Sequence, residues 1–234
     1  MKQGLLLVAF SIMAFCASAQ IYGYPSVSPS GHTLYYDIAD GEAAVAKKSY
    51  TYPNYGNTLA GDLIIPDSVE YEGVKYPVTK IGHEAFEYAT MRSVQIPNTV
   101  RTIVIRAFTA CDSLTSLVIP NSVTSIGQQA FAGSFNITSI TLPDSLTTIE
   151  QGIFENDTSL LSVVVPDAVV SVGYGAFSQC YSLRSVTFGT SVCSIGGLSF
   201  WNCYALDSLI FKSDVAPNVD ANMFPGAPDT LVID

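Results

Sequence analysis

The feature that most constrains this chain is a spacing. Prolines fall at Pro97, Pro120, Pro143 and Pro166, each 23 residues apart, and Gly189 takes the next slot. Phenylalanines keep the same step at Phe108, Phe131, Phe154, Phe177 and Phe200, with Phe86 22 residues before the first of them. Five residues before each Phe stands Ile81, Ile103, Ile126, Ile149, Val172 or Ile195, and eight before stands Val78, Val100, Val123, Leu146, Val169 or Val192. Two apolar columns follow the Phe. One is Leu117, Ile140, Val163, Val186 and Leu209; the other is Ile119, Leu142, Val165, Phe188 and Phe211. A fixed period of this length is the mark of a repeat array.

The spacing dictates what one unit does. Leu117-Val118-Ile119 alternates in, out, in, which is a short strand. The next residue, Pro120, cannot donate to a ladder and ends it. The Ala-Phe pair, as in Ala130-Phe131, anchors a turn or a single helical turn on the opposite, convex side. One such unit cannot bury its own apolar face, but a stack of them buries it continuously. Strand-over-strand stacking advances about 4.8 Å per unit, so six units make a rod roughly 30 Å long. The predicted fold class is therefore a mainly β repeat solenoid of 22–23-residue units. Composition agrees: 48% of residues are hydrophobic and 13% charged, about half the usual charged share of roughly 25%, so there is ample apolar surface to bury.

The run Ile119-Pro120-Asn121-Ser122-Val123-Thr124-Ser125-Ile126-Gly127, followed by Ala130-Phe131, resembles the BspA-type leucine-rich repeat. So does Cys180-Tyr181-Ser182-Leu183-Arg184-Ser185-Val186-Thr187-Phe188, and the resemblance covers about residues 59–233. It implies a leucine-rich-repeat solenoid. It also implies a bacterial surface protein associated with adhesion to host proteins or other cells. Val104 and Glu150 replace the usual Gly, Ile153 replaces Ala, and Gly189 replaces Pro, which bears on local turns and not on the fold.

The ends differ from the middle. Residues 1–19 read as a signal peptide: Lys2, an apolar run from Leu5 to Phe15, then Ala17-Ser18-Ala19 before Gln20. Cys16 raises a lipoprotein alternative, against which stands the bulky Phe15. Export to the cell surface, the medium or the periplasm is expected. Without Lys2 the mature balance is 9 basic against 20 acidic residues, or −11. No basic patch points to nucleic acid, nor to anionic membrane, and no later segment is long and apolar enough to span a bilayer. Residues 20–58 form an expected N-terminal β cap, with a hairpin turning at Asp40-Gly41. A second hairpin turns at Glu72-Gly73 inside the first repeat. The repeats occupy 59–211, and 212–234 is a degenerate terminal repeat in which Phe224 resembles the repeat Phe. Leu231-Val232-Ile233 is expected as a last strand, whose uncovered edge invites self-association.

Nothing in the chain assembles a catalytic, cofactor or metal site. The two histidines, His32 and His83, are isolated. Asp37, Asp40 and Glu42 lack the spaced ligand set of a calcium loop and read as a turn. Cys111, Cys180 and Cys203 share a column three after the Phe; Cys180 and Cys203 form either buried stacked thiols or a disulfide, while Cys193 is expected in the core. Asp-Ser/Thr followed by an apolar residue, at Ser68, Ser113, Ser145, Ser208 and Thr230, reads as repeat turns or as an O-glycosylation pattern. The expected binding surface is the concave β-face, through Ser116, Val118, Ser139, Thr141, Ser162, Val164, Ser185 and Thr187. Hydroxyls and methyls without charge suit a protein partner, or a carbohydrate, better than an ionic one. The expected function is a non-catalytic binding or adhesion module; an inert surface spacer is the alternative.

Overall fold

The computed structural model describes residues 20–48, 59–225 and 232–233. The leader segment, the stretch Tyr50–Tyr55, Thr230 and Leu231 lie outside the described residues. The rest is a mainly β solenoid of about six coils, with no helix among the described residues.

Each coil carries two strand segments. The concave line consists of β4 (Gly61–Ile64), β7 (Met91–Gln95), β9 (Ser116–Val118), β11 (Ser139–Thr141), β13 (Ser162–Val164), β15 (Ser185–Phe188), β17 (Ser208–Phe211) and β19 (Val232–Ile233). Within this line β4 pairs with β7, β9 with β11, and β13, β15, β17 and β19 each with the next, all in parallel, as Ser139↔Ser116, Ser162↔Ser185 and Ser185↔Ser208. A second parallel line flanks it: β6 (Val74–Ile81), β8 (Thr102–Ile103), β10 (Ser125–Ile126), β12 (Thr148–Ile149), β14 (Ser171–Val172), β16 (Ser194–Ile195) and β18 (Asn218–Val219). The inward column five before the Phe belongs to this line, while the column eight before it, Val78 in β6 excepted, lies in the turn that leads into each strand. Its two-residue strands are too short to show alternation, so sequence pattern locates their apolar residues and not their pairing.

The convex side is closed by turns, and the reason is visible in the backbone. In every coil the residues two before and two after the Phe have positive φ. Arg106 and Ala110 (58° and 56°), Gln129 and Gly133 (53° and 71°), and Leu198 and Asn202 (54° and 58°) are examples. A left-handed residue at every fourth position interrupts any right-handed helix. It leaves the N–H groups aimed at the next coil. Phe108 donates to the Ala130 carbonyl at 2.8 Å, Phe131 to Ile153 at 3.1 Å and Phe154 to Ala176 at 2.9 Å. Backbone polar groups are thus satisfied between coils on three sides of the stack.

The core is a column of stacked rings. Phe86, Phe108, Phe131, Phe154, Phe177 and Phe200 are fully buried, with successive centroids 5.1, 5.8, 5.8, 5.5 and 5.4 Å apart. Phe224 extends the column at 5.7 Å from Phe200, as its spacing suggested. These are offset-stacked geometries. The glycine at the corner after the second strand meets its neighbour closely: a Cβ on Gly127 would lie 2.5 Å from the Ile105 nitrogen. Gly189, which stands in the proline slot, lies so close to the coil below that a Cβ would sit 2.4 Å from the Asp167 Cα.

At the N-terminal end, β1 (Ile21–Val27), β2 (Thr33–Ala39) and β3 (Glu42–Ala46) form an antiparallel meander, and β3 pairs in parallel with β6. Asp40 and Gly41 both have positive φ, as do Glu72 and Gly73 between β5 (Ser68–Tyr71) and β6, so both expected hairpins turn where the sequence placed them. Strand β1 carried no distinct signal.

Candidate functional site

The eight concave residues project from one surface. Ser116, Val118, Ser139, Thr141, Ser162 and Val164 are exposed, while Ser185 and Thr187 are partly covered. Val118 is 67% exposed and Val164 59%. Alternation explains the arrangement: Leu117, Ile140, Val163 and Val186 point inward and are buried, so their neighbours point out. Ile210 extends the apolar strip and is 40% exposed. Charge stays at the rim, where Arg92 pairs with Asp62 at 3.3 Å.

The residues considered for other chemistry are dispersed. The Asp37 carboxylate accepts from the Gly23 N–H at 2.9 Å, and Glu42 accepts from the Thr79 hydroxyl at 2.7 Å. They lock strands and do not converge. His32 bridges the Ser30 hydroxyl and the Ala60 carbonyl, each at 2.9 Å. His83 stands at the surface beside Glu84. Among the described residues no group of three or more His, Cys, Asp or Glu side chains could hold a metal ion. Ser145 donates to the Val123 carbonyl at 2.7 Å, which commits its hydroxyl to the turn.

The column three after the Phe holds the unexpected chemistry. Cys111, Ser134, Cys180 and Cys203 each donate to a Phe carbonyl of the preceding coil, at 3.0–3.2 Å. The thiols are free, and burial raises their pKa, that of Cys203 to about 12. Cys180 and Cys203 are therefore stacked thiols. Cys193 departs from expectation: it is exposed, on the loop edge before β16, because its neighbour Val192 takes the inward slot. In the same column Asp157 is fully buried. Its Oδ1 accepts from the Ser134 N–H at 2.8 Å, and its Oδ2 has no partner. Burial holds its carboxyl well above the usual carboxylate range. Among the column's residues, Ala89, Cys111, Ser134, Asp157, Cys180 and Cys203, it is the one carboxylate.

Among the described residues no helix is long and apolar enough to cross a membrane. The profile of the BspA type leucine rich repeat region matches residues 79–217 in six copies. No curated protein matches. Among solved structures, a leucine-rich repeat protein from Eubacterium ventriosum is 22% identical with a TM-score of 0.64, covering 82% of this chain. The chain spans 48% of that protein's length. A leucine rich repeat protein of T. pallidum is 25% identical with a TM-score of 0.49, covering 80% of this chain and 68% of the other. The repeat column, the two parallel strand lines and the six-copy match agree, and the chain belongs to the BspA-type leucine-rich repeat family.

Proposed function

We propose that this protein is an exported, non-catalytic binding module that takes a protein partner on its concave β-face. The observation that carries the reading is the strip of Val118, Val164 and Ile210, exposed on a surface otherwise made of Ser and Thr. Methyl groups held in water by a rigid ladder are binding energy waiting for a partner, and small neighbours let another backbone approach closely. In this reading residues 1–19 direct export. The N-terminal strands within 20–48 seal the first apolar layer, 59–211 present the face, and a degenerate repeat begins at 212.

The test is binding of the mature chain to immobilised bacterial surface proteins and host matrix proteins, beside the Val118→Glu/Val164→Glu variant. Saturable binding that the variant loses by at least about tenfold, with an unchanged melting temperature, supports the reading. Binding that survives the double substitution overturns the concave face as the site. No binding to any member leaves the spacer as the better account.

A further inference from the structure

A second surface lies on the convex side, away from the concave strands. The slot two before the Phe is filled by long side chains in most coils: Glu84, Arg106, Gln129 and Leu198. In two successive coils it bears no side chain, at Gly152 and Gly175; the Gln129 and Glu155 side chains close in over Gly152, whereas over Gly175 the nearest atom is the Ser178 Cβ at ordinary contact distance. The positive φ at this slot does not demand glycine, since the other four coils adopt it with side chains attached. Around the two glycines lies a cleft of about 160 Å³, with Ser178 and Leu198 in its wall. Tyr174 and Trp201 line it, 53% and 39% exposed, together with Gln151 and Glu155. Gln129 holds the Glu155 carboxylate from one end, Nε2 to Oε2 at 3.0 Å.

The lining selects the ligand. Two half-exposed aromatic rings offer flat apolar faces, and a carboxylate and an amide offer directed hydrogen bonds. That combination matches a sugar ring, which has an apolar C–H face and a rim of hydroxyls. Glu155 also lines an adjoining hollow of about 380 Å³ with Asn156, Gln179 and Phe135, so the track continues beyond one ring. No Lys, Arg or His lines either part, which disfavours an anionic ligand. A chain-like track also suits an oligosaccharide better than a compact cation. We propose that this cleft binds a neutral glycan, one sugar ring seated against Tyr174 and Trp201 with its hydroxyls bonded to Glu155 and Gln151. The site is independent of the concave-face reading.

Trp201 is the sole tryptophan of the chain, so its fluorescence reports the cleft directly. The mature chain is titrated with maltohexaose, cellohexaose, mannohexaose, xylohexaose and chitohexaose, and separately with choline as a compact cation. A saturable change in Trp201 emission with at least one sugar is expected below about 10 mM. Gly175→Gln, which fills the cleft with a side chain that Gln129 already carries in that slot, should weaken this response at least about tenfold. Calorimetric titration of Trp201→Ala should show the same loss, with both variants folded by circular dichroism, whereas Val118→Glu on the concave face should bind normally. Three results would overturn the proposal. They are no saturable response to any of the five sugars, sugar binding retained in both cleft variants, or a response to choline alone.

Discussion

The two long faces of this solenoid are built by opposite rules. On the concave face six successive coils supply the same residue in one column, Ser93, Ser116, Ser139, Ser162, Ser185 and Ser208, while the column two residues on varies as Gln95, Val118, Thr141, Val164, Thr187 and Ile210. On the convex face the aligned slots hold unlike residues, such as His83, Ile105, Gln128, Gln151, Tyr174 and Gly197 three before the Phe. The backbone there visits the left-handed region twice per coil. Parallel pairing at a spacing of about 4.8 Å leaves little room for variation where strands abut. Turns bonded coil to coil largely through the main chain leave many of their side chains free to differ. A repeat protein can thus hold one surface column constant and diversify others on a single frame.

The largest expected difference concerns what lies under the faces. Phe154→Ala opens a void in the ring column beneath the convex turns and should cost about 3–5 kcal/mol in denaturant melts. Ser139→Ala on the concave face should cost under about 0.5 kcal/mol. Equal costs would mean that the rings do not bear the stack.

At the corner between the two faces, Gly127→Ala forces a Cβ against the Ile105 backbone. The expected loss is about 1–3 kcal/mol, since backbone and not a flexible side chain must give way. A neutral melting shift would show that the coils separate more easily than their packing implies.

Asp157 sharpens the comparison through pH. Its folded-state pKa is raised, so the stability associated with the protonated form is complete below the unfolded carboxyl range near pH 4. That stability is lost as pH climbs toward the folded value. Asp157→Asn keeps the acceptor for the Ser134 N–H and supplies a neutral donor in place of the unpartnered Oδ2. It should raise stability at pH 7 by about 1–3 kcal/mol, and the advantage should shrink toward pH 4. Thermal melts across that range check both points; an advantage independent of pH would mean that Asp157 does not titrate in the fold.

The smallest effect is a contrast of sign. Gln129→Gly relieves a left-handed side chain on the convex face and should stabilise by about 0.5–1 kcal/mol. Thr141→Gly, in extended backbone on the concave face, should destabilise by about 0.5–1 kcal/mol. Two shifts of the same sign would contradict the difference in backbone between the faces.

The sequence made these faces legible to unequal degrees. Leu117-Val118-Ile119 alternates, so both the strand and its outward residues could be read from one unit. The convex turns could not, because Glu84, Arg106 and Leu198 carry no mark of left-handed backbone. Gly133, Gly152, Gly175, Asn156 and Asn202 fall in the same two slots and were the available signal. The cleft was hidden for another reason. Tyr174 and Trp201 occupy different slots of successive units, and only the lateral register of the coils brings them to one cavity. The burial of Asp157 followed from its column, but its unpartnered oxygen depended on how the carboxyl turned toward Ser134.

The most direct test of the account is a thiol footprint of the two faces. In a Cys193→Ser background the remaining described cysteines are buried and unreactive. Single cysteines are then introduced as Val118→Cys and Ser139→Cys on the concave side and, off that face, Tyr204→Cys at an exposed position in the turn between Cys203 and β17. Maleimide labelling is followed with and without a protein partner taken from the binding screen. The account predicts that the partner slows labelling of Val118→Cys and Ser139→Cys by at least about tenfold and leaves Tyr204→Cys unchanged. Protection confined to Tyr204→Cys, with the concave thiols labelled at their free rate, would contradict it.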